Sequence, residues 1–512
     1  MSESESLVGT HASETGSVNG EGGRTRRWSA RTRTLVVVGV LLGLVCAAFV
    51  VCALVELVRV RRDPAFARRT FVLLSDVHTD PLSQPVTRNQ STWCRDPAAA
   101  RARGLAAFPG AAEPQYVLRV RPGGRYGRYG CDAPKALAAA AYDAMAAAAA
   151  QLRHAPEFVL HGGDAAAHAL DAAGVVDAFE HTHAQLAARF PRARVVPAVG
   201  NNDVVPHYDA ACDSPALATL AGLWRRYGWL DADQEAFFRH AGAHAADATA
   251  DGLVRVLALN ANIFLARGRR PANQSTADDC GQLAWLDAEL ARAAQRGQTV
   301  LVLMHVAPVV DNYDKKDLWA NATVAQAFRD TLARHNAAHP GLVQAVVMGH
   351  VHKDEYRLLR RPDGSTLLPV IVAPAVSPVF DNNPAFRIVY FSAENAPATS
   401  GNGTNSSSGG KGKHKVAVLR DYDQYYMDLR ASYTTNTTQW VREYRFSTAY
   451  GRRSLQTDEF DRLHADLGTH SALMTEYMTR YASHYTTDEK TTLCAYQSNT
   501  ADEYQQCVAQ WS

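Results

Sequence analysis

The sequence predicts an α/β domain, and two features of its residue pattern predict that class. Short apolar, β-branched runs alternate with amphipathic helical stretches as far as about residue 350, which is the pattern of successive βαβ units. Five of the apolar runs are followed within a few residues by Asp, Asn or His. Because the ends of successive strands meet at one edge of a sheet, these polar residues are predicted to converge there.

The five runs are rich in Val and Leu and have the length of buried strands. They lie at residues 71–74, 158–160, 195–199, 300–304 and 343–348. Helices are predicted at residues 133–153, 171–189 and 280–296. Asp132 is expected to cap the first helix, with Pro134 in its first turn. The third helix is amphipathic, because Leu283, Leu286 and Leu290 share one face.

Three more strands are predicted after residue 350, at residues 370–372, 386–391 and 415–419. Residues 396–414, between the last two, are rich in Gly, Ser, Asn and Lys. This composition predicts a flexible, glycosylated insertion at the tip of a hairpin. Residues 443–512 are polar and Tyr-rich, and we expect them to form a mostly helical appendage packed on the main domain.

The N-terminal region predicts a membrane anchor. Residues 1–33 are rich in Ser, Gly, Glu and Arg, which is typical of a disordered tail. Residues 35–55 carry no charge over 21 residues, which is long enough to span a bilayer, so a transmembrane signal anchor is predicted at residues 34–57. More arginines precede this span than follow it, which favours a type II protein with a cytosolic N terminus.

Sequons and cysteines also favour a main domain that is extracellular or lies in the lumen of a vacuole, lysosome or other acidic organelle. The sequons all follow the predicted span, at Asn89, Asn273, Asn321, Asn402, Asn405 and Asn436. Six cysteines follow it too, an even number typical of disulfides in an oxidising compartment. The sequence leaves their pairing open, and Cys494–Cys507 is the preferred local pair.

The polar residues at the strand ends predict a metal site. They are Asp76, His78, Asp164, Asn201, His305, His350 and His352. An isolated Asp-x-His is usually an ordinary loop, and a His after a strand is usually a core residue. Five such pieces in order, all Asp, Asn or His and none Cys, instead favour a divalent ion such as Zn, Mn, Fe or Mg.

The order D-x-H, G-D, G-N, H, G-H-x-H resembles that of the calcineurin-like metallophosphoesterases. Four further stretches are similar to the acid sphingomyelinase-like phosphodiesterase branch, which is close to the endopolyphosphatases. They lie at residues 127–134, 281–286, 382–387 and 421–426. The resemblance covers about residues 70–445, which is most of the chain.

The resemblance implies a four-layer αββα sandwich over residues 66–442. It also implies two divalent metal ions, with zinc preferred to manganese, iron or magnesium. By resemblance, one ion takes Asp76, His78, Asp164 and His352. The second takes Asp164, Asn201, His305 and His350, so Asp164 would bridge the two ions.

The chain departs from the family after the metal-binding Asn, where Asn202 stands in place of the usual His. Asn202 can donate a hydrogen bond but cannot supply a proton. His168 lies four residues beyond Asp164, where the sphingomyelinase branch carries a histidine near the leaving group, and it could serve as the acid. Its alternative is a solvent-facing helix residue. His207 could contact a phosphate.

These observations predict a membrane-anchored, lumenal hydrolase of phosphoanhydride or phosphodiester bonds. An endopolyphosphatase-like activity is preferred, because Gly-Asn-Asn-Asp is the form associated with endopolyphosphatases and a polyphosphate leaving group needs little protonation. The alternative is an acid sphingomyelinase-like phosphodiesterase that acts on nucleotides or phospholipid head groups. A glycosylated pseudoenzyme is a further alternative. The net charge of +2, without a long basic patch, does not imply nucleic-acid binding.

Overall fold

The computed structural model describes residues 69–83, 94–95, 98, 102, 124–265, 278–311, 313–395, 415–481 and 489–511. The predicted tail, the signal anchor at 34–57 and the insertion at 396–414 lie outside these residues. Within the described ranges, no helix has both the length and the apolar character needed to cross a bilayer.

Two six-stranded mixed sheets form the centre of the fold. The first has the strand order β14-β13-β12-β1-β4-β5. Its strands are β1 (Arg69–Leu74), β4 (Phe158–His161), β5 (Arg194–Pro197), β12 (Ala385–Asn395), β13 (Lys415–Met427) and β14 (Trp440–Arg445). β1, β4 and β5 are parallel, whereas β12, β13 and β14 pair in antiparallel fashion. The β12–β13 pairing extends to Asn395 and Lys415, which confirms the predicted hairpin.

The second sheet has the order β10-β11-β9-β8-β7-β6. Its strands are β6 (His244–Asp247), β7 (Val254–Leu259), β8 (Thr299–Met304), β9 (Val343–Met348), β10 (Tyr356–Arg360) and β11 (Thr366–Val372). The four central strands are parallel, and the two edge strands are antiparallel to their neighbours. A small third sheet pairs β2 (Thr79–Asp80) with β3 (Ala133–Pro134).

Helices cover the outer faces of both large sheets. They are α1 (Lys135–Ala150), α2 (Ala172–Arg189), α3 (Pro215–Tyr227), α4 (Glu235–Ala241), α5 (Gln282–Arg296) and α6 (Ala322–Ala338). One core joins the first sheet to α1, α2 and α3, and a second joins the other sheet to α5 and α6. A third core lies between the sheets, where residues such as Phe71 and Leu303 are completely buried. This layering is the predicted αββα sandwich.

The chain after β13 is mostly helical. Its helices are α7 (Leu429–Thr435), α8 (Phe446–Tyr450), α9 (Thr457–Thr469), α10 (Ser471–Tyr481), α11 (Glu489–Gln497) and α12 (Ala501–Trp511). Phe446, Phe460 and Tyr477 join the core between the sheets. The boundary predicted after residue 442 falls within β14, so the first sheet continues directly into the helical segment.

Three disulfides link Cys94 to Cys131, Cys212 to Cys280 and Cys494 to Cys507. The last confirms the preferred local pair, and all three are consistent with a lumenal or secreted protein. The predicted cap of α1 is wrong. The helix begins after Pro134, without a side-chain cap, because the Asp132 carboxylate is bonded to His168 instead.

Candidate metal centre

The seven predicted ligands lie just beyond the carboxyl ends of five parallel strands. Asp76 and His78 follow β1, Asp164 follows β4, Asn201 follows β5, His305 follows β8, and His350 and His352 follow β9. Backbone hydrogen bonds join the loops that carry them. The amides of Asp76 and His78 donate to the Gly163 and Asp164 carbonyls at 3.0 Å within the first sheet. Between the two sheets, the His350 amide donates to the Asp76 carboxylate at 3.0–3.1 Å. The two sheets therefore share one polar edge.

Five of these residues have a left-handed backbone. The φ angles are 49° at Asp76, 45° at His78, 54° at Asp164, 70° at His350 and 58° at His352. Such a conformation costs about 1–3 kcal/mol at a residue other than glycine and persists only where the surroundings enforce it. Its recurrence at five residues with ligand side chains indicates that the backbone is shaped to aim these groups at one place.

A first group of donors consists of Asp76, His78 and His352, all buried. The Nε2 atoms of His78 and His352 lie 3.1 Å apart. Asp76 Oδ1 lies 3.2 Å from His352 Nε2 and 3.8 Å from His78 Nε2. Two imidazoles and a carboxylate converging in this way form a set that suits zinc or a similar divalent ion.

A second group consists of Asp164 and His305 with Asn201. His305 Nε2 lies 3.3 Å from Asp164 Oδ2 and 3.0 Å from Asn201 Oδ1. His305 Nδ1 donates to the Gly162 carbonyl at 2.8 Å, which leaves Nε2 as the nitrogen with a lone pair for a metal. The His350 ring lies 5.1 Å from that of His305, on the same side of the centre.

Asp164 connects the two groups. The same oxygen, Oδ2, lies 3.4 Å from His78 Nε2 and 3.3 Å from His305 Nε2. One carboxylate between two imidazole clusters is the arrangement expected of a bridging ligand. The geometry thus brings six of the predicted ligands close to one another, and the His350 ring lies beside that of His305.

The electrostatics of the centre reflect its buried carboxylates and imidazoles. Burial works against ionisation of Asp76 and Asp164, but the adjacent histidines hold the pKa of both carboxyls well below the usual range. Burial also opposes protonation of His78 and His305, but the nearby carboxylates raise their pKa values to about 9 and about 10. The carboxylates are therefore already ionised as metal binding requires, and protons leave the histidines when a cation binds.

The His168 side chain is bonded to Asp132, the residue that was predicted to cap α1. Asp132 accepts from His168 Nδ1 at 3.0 Å and from the His168 backbone amide at 2.9 Å. The His168 ring stacks on the His78 ring with a centroid distance of 4.4 Å. His168 is 9% exposed, so the solvent-facing alternative is wrong. A buried Asp–His pair next to metal ligands is suited to proton transfer.

Asn202 and His207 both contact predicted ligands. Asn202 donates to Asp164 through its backbone amide and its side chain, each at 2.7 Å. His207 Nε2 lies 2.7 Å from Asn201 Nδ2, so a neutral His207 accepts from the amide and keeps the Asn201 oxygen toward His305. Burial lowers the pKa of His207 to about 4, which favours this neutral form.

Asp203 is a second residue whose role the sequence analysis missed. It is 1% exposed and accepts hydrogen bonds from the backbone amides of Gly200, Asp164 and Ala166 at 2.8–3.1 Å. These bonds join the loops after β4 and β5. A Cβ atom at Gly200 would lie 2.1 Å from the Asp164 nitrogen, so glycine is required there. The available signal was the position of Asp203 at the end of Gly-Asn-Asn-Asp.

Comparisons with known proteins agree with this geometry. The family model described as calcineurin-like phosphoesterase matches residues 69–354, more than half of the chain. The sphingomyelinase phosphodiesterase D of Dictyostelium discoideum is 23% identical over 445 residues, covering 86% of this chain and 94% of that protein. The acid sphingomyelinase-like phosphodiesterase 3b of Mus musculus is 26% identical, covering 74% and 75%. The cyclic GMP-AMP phosphodiesterase SMPDL3A of Rattus norvegicus is 24% identical, covering 68% and 73%.

Proposed function

The chain belongs to the calcineurin-like phosphoesterase family, and we propose that within it the protein is a two-metal phosphodiesterase of nucleotides or phospholipid head groups. The observation that carries this proposal is the position of Asp164 between His78 and His305, in a cluster of predicted ligands of which five have a left-handed backbone. The names of the three relatives support phosphodiester substrates over polyphosphate. They therefore favour the alternative that the sequence analysis placed second.

The residues fit a pair of divalent ions, with zinc preferred. Asp76, His78, Asp164 and His352 would hold one ion, and Asp164, Asn201, His305 and His350 the other. When bound, the ions would supply a nucleophilic water and neutralise charge on the phosphate oxygens. The protein's own part is to orient the ligands through Asp203 and His207.

Proton transfer to the leaving oxygen falls to the Asp132–His168 pair. Asp132 fixes the ring through Nδ1, so the donating nitrogen would be Nε2. Transfer from Nε2 to the departing alkoxide gives an alcohol and neutral His168, and the proton returns from solvent. Asn202 takes no part in this step, because its amide has no transferable proton and is bonded to Asp164.

Aromatic side chains at the edge of the centre support an organic substrate. Phe380 lies 4.7 Å from the His352 ring and 5.9 Å from the His168 ring, and Tyr313 lies 5.8 Å from Phe380. These two rings are 38% and 43% exposed, unusually high values for large hydrophobic residues. Such a surface can stack on a base or cover an apolar group, and polyphosphate offers neither.

An endopolyphosphatase remains the second candidate, and Asn202 is the observation that favours it. Anhydride leaving groups depart without protonation, so a centre lacking the family's usual histidine could still cleave them. We further propose that the protein is anchored by residues 34–57, with residues 66–442 as the phosphoesterase domain and residues 443–512 as its appendage, in a glycosylated lumenal or extracellular location. The disulfides support that compartment.

Substrate profiling tests the function. The purified protein, loaded with zinc, would be given bis(4-nitrophenyl) phosphate, a cyclic dinucleotide, sphingomyelin, ATP and polyphosphate, with Asp164→Asn as the inactive control. We expect hydrolysis of the diesters with little release of phosphate from polyphosphate. Preferential cleavage of polyphosphate would support the second candidate. No turnover of any substrate by the metal-loaded protein would contradict both.

A further inference from the structure

A small polar cavity borders the metal centre on the side of the C-terminal segment. Its volume is about 40 Å³. The polar residues that line it include His352, Asp354, Asn382, Gln424, Glu443 and Arg480. We call it the Asn382 cavity. Two stretches that the sequence analysis singled out, at residues 382–387 and 421–426, contribute to this lining, and none of their residues belongs to the predicted ligand set.

Three buried polar atoms on residues that line the Asn382 cavity have no hydrogen-bond partner in the described part of the protein. They are His352 Nδ1, Asn382 Oδ1 and Arg480 Nη1, and the first two belong to residues that are 2% and 4% exposed. The Asn382 amide nitrogen donates to the Ser377 carbonyl at 2.9 Å, which fixes the orientation of the side chain. Buried polar atoms nearly always have a partner, so these three require an explanation.

The chemistry of His352 makes its unpartnered nitrogen significant. Its Nε2 is the atom near Asp76 and His78, and is therefore the nitrogen that would bind a metal. Nδ1 must then carry the proton. A metal-binding histidine normally donates that N–H to a carboxylate, a carbonyl or a water, which fixes the ring and strengthens the ligand. No described protein atom performs this role for His352.

Among the acidic residues of the lining, Glu443 is the one with a carboxyl available to complete the arrangement. Both oxygens of Asp354 are already used, by Arg387 and by the Tyr444 hydroxyl. Arg480 pairs with Glu476 through Nη2, and its buried Nη1 can only donate a hydrogen bond, so it cannot accept from His352 Nδ1. The Glu443 carboxyl, by contrast, has no hydrogen bond to another described residue. Burial and the charge of Asp354 raise its pKa to about 8, so near neutral pH it can both donate and accept.

We propose that the Asn382 cavity binds ordered water that links His352 Nδ1 to the Asn382 oxygen and the Glu443 carboxyl. Asn382 and Glu443 are thus positioning residues that act on the metal centre through His352. The volume accommodates about three water molecules, and the lining supplies the several polar partners that buried water needs. The inference rests on the proposed metal site, but it does not depend on which phosphoester is cleaved.

Zinc affinity, measured by chelator competition on the full chain, tests the proposal without any turnover. Glu443→Leu and Asn382→Leu should each weaken binding at one of the two ions by about 10- to 100-fold. Glu443→Gln should retain most of the affinity, because an amide still bonds to water. The matched control is Glu180→Gln, which changes a surface partner of Arg226 outside the cavity lining and should leave affinity unaltered.

The melting temperature separates a local effect from a folding defect. A positioning role predicts that each leucine variant lowers the melting temperature of the zinc-bound protein more than that of the metal-free protein. Affinities of both leucine variants within twofold of the wild type would overturn the proposal. So would a high-resolution crystal structure of the zinc-bound protein in which His352 Nδ1 bonds directly to a protein atom. A protein that binds zinc as described but hydrolyses no phosphodiester would instead contradict only the proposed function.

Discussion

Replacing Asp132 by Asn should impair catalysis in a way that depends on the leaving group. The carboxylate is completely buried and accepts from both the backbone amide and Nδ1 of His168. Burial alone would raise the pKa of Asp132, but the charge and hydrogen bond of His168 lower it to about 2 from 3.8. A pKa shift of this size corresponds to about 2 kcal/mol of interaction free energy, or to a factor of about 20–60 in an equilibrium constant.

The neutral amide in Asp132→Asn removes this interaction. Its NH2 group can also donate to Nδ1 of His168, which would displace the proton that Asp132 holds on that nitrogen. For substrates with alkoxide leaving groups, such as nucleoside phosphodiesters, we expect kcat to fall by at least about 20-fold. His168→Ala should lose about 100- to 10,000-fold, the usual contribution of general acid catalysis. Nitrophenyl esters should lose little in either variant, because nitrophenolate leaves without a proton.

The assay is a series of phosphodiesters with leaving groups of increasing pKa, compared in the wild type and both variants. The slope of log kcat against leaving-group pKa should become steeper when either residue is changed. Asp143→Asn, which alters a surface aspartate paired with Arg189, is the matched control and should leave the slope unchanged. Equal losses on all substrates would refute the proton-donor role and leave a purely structural one.

Three further outcomes are expected. Asp164→Asn should reduce the zinc content from two ions toward none, whereas Asp76→Asn should remove mainly one ion. Elemental analysis measures this content. Two bound ions and normal turnover in Asp164→Asn would contradict the bridging assignment. Burial lowers the pKa of His464 to about 4 from 6.5, so its contribution to stability is present above pH 6.5 and is lost as the pH falls toward 4. His464 should contribute about 2 kcal/mol to the drop in the free energy of unfolding between pH 7 and pH 5, and a chemical denaturation series should show a drop smaller by about that amount in His464→Asn. Digestion of the protein from its native membrane fraction with an N-glycosidase should increase its gel mobility, and unchanged mobility would argue against the lumenal location.

The ligand set could be predicted from sequence because its signals are local. Each ligand follows an apolar strand within a few residues, and the strand ends bring them together without knowledge of the loops. Asp132 could not be placed in the same way. Its position before a helix predicts a cap, whereas its real partner, His168, lies 36 residues away and is reached only through the fold. The tertiary contact with His168 therefore outweighs the local preference of Asp132 for capping the helix.

Long-range disulfide and strand pairings could not be predicted from the sequence for the same reason. The disulfide Cys494–Cys507 spans 13 residues and was predicted, but Cys212–Cys280 spans 68 and depends on how the second sheet is assembled. The boundary predicted at residue 442 lies within β14, the strand that extends the first sheet. Pairing with β13, which a polar strand sequence does not reveal, determines where that sheet ends.

The three residues predicted to be catalytic divide into two kinds once their contacts are known. Asn202 and His207 each bond to a predicted metal ligand, Asp164 and Asn201 respectively, so they orient ligands and are not free to exchange protons with a substrate. His168 instead bonds to Asp132, a residue outside the ligand set, and so remains the one member of the three suited to proton transfer. Under the proposed mechanism, Asn202 in place of the family's usual histidine would leave acid catalysis to the Asp132–His168 pair alone. Activity should accordingly depend more steeply on leaving-group pKa than in a relative with two histidines.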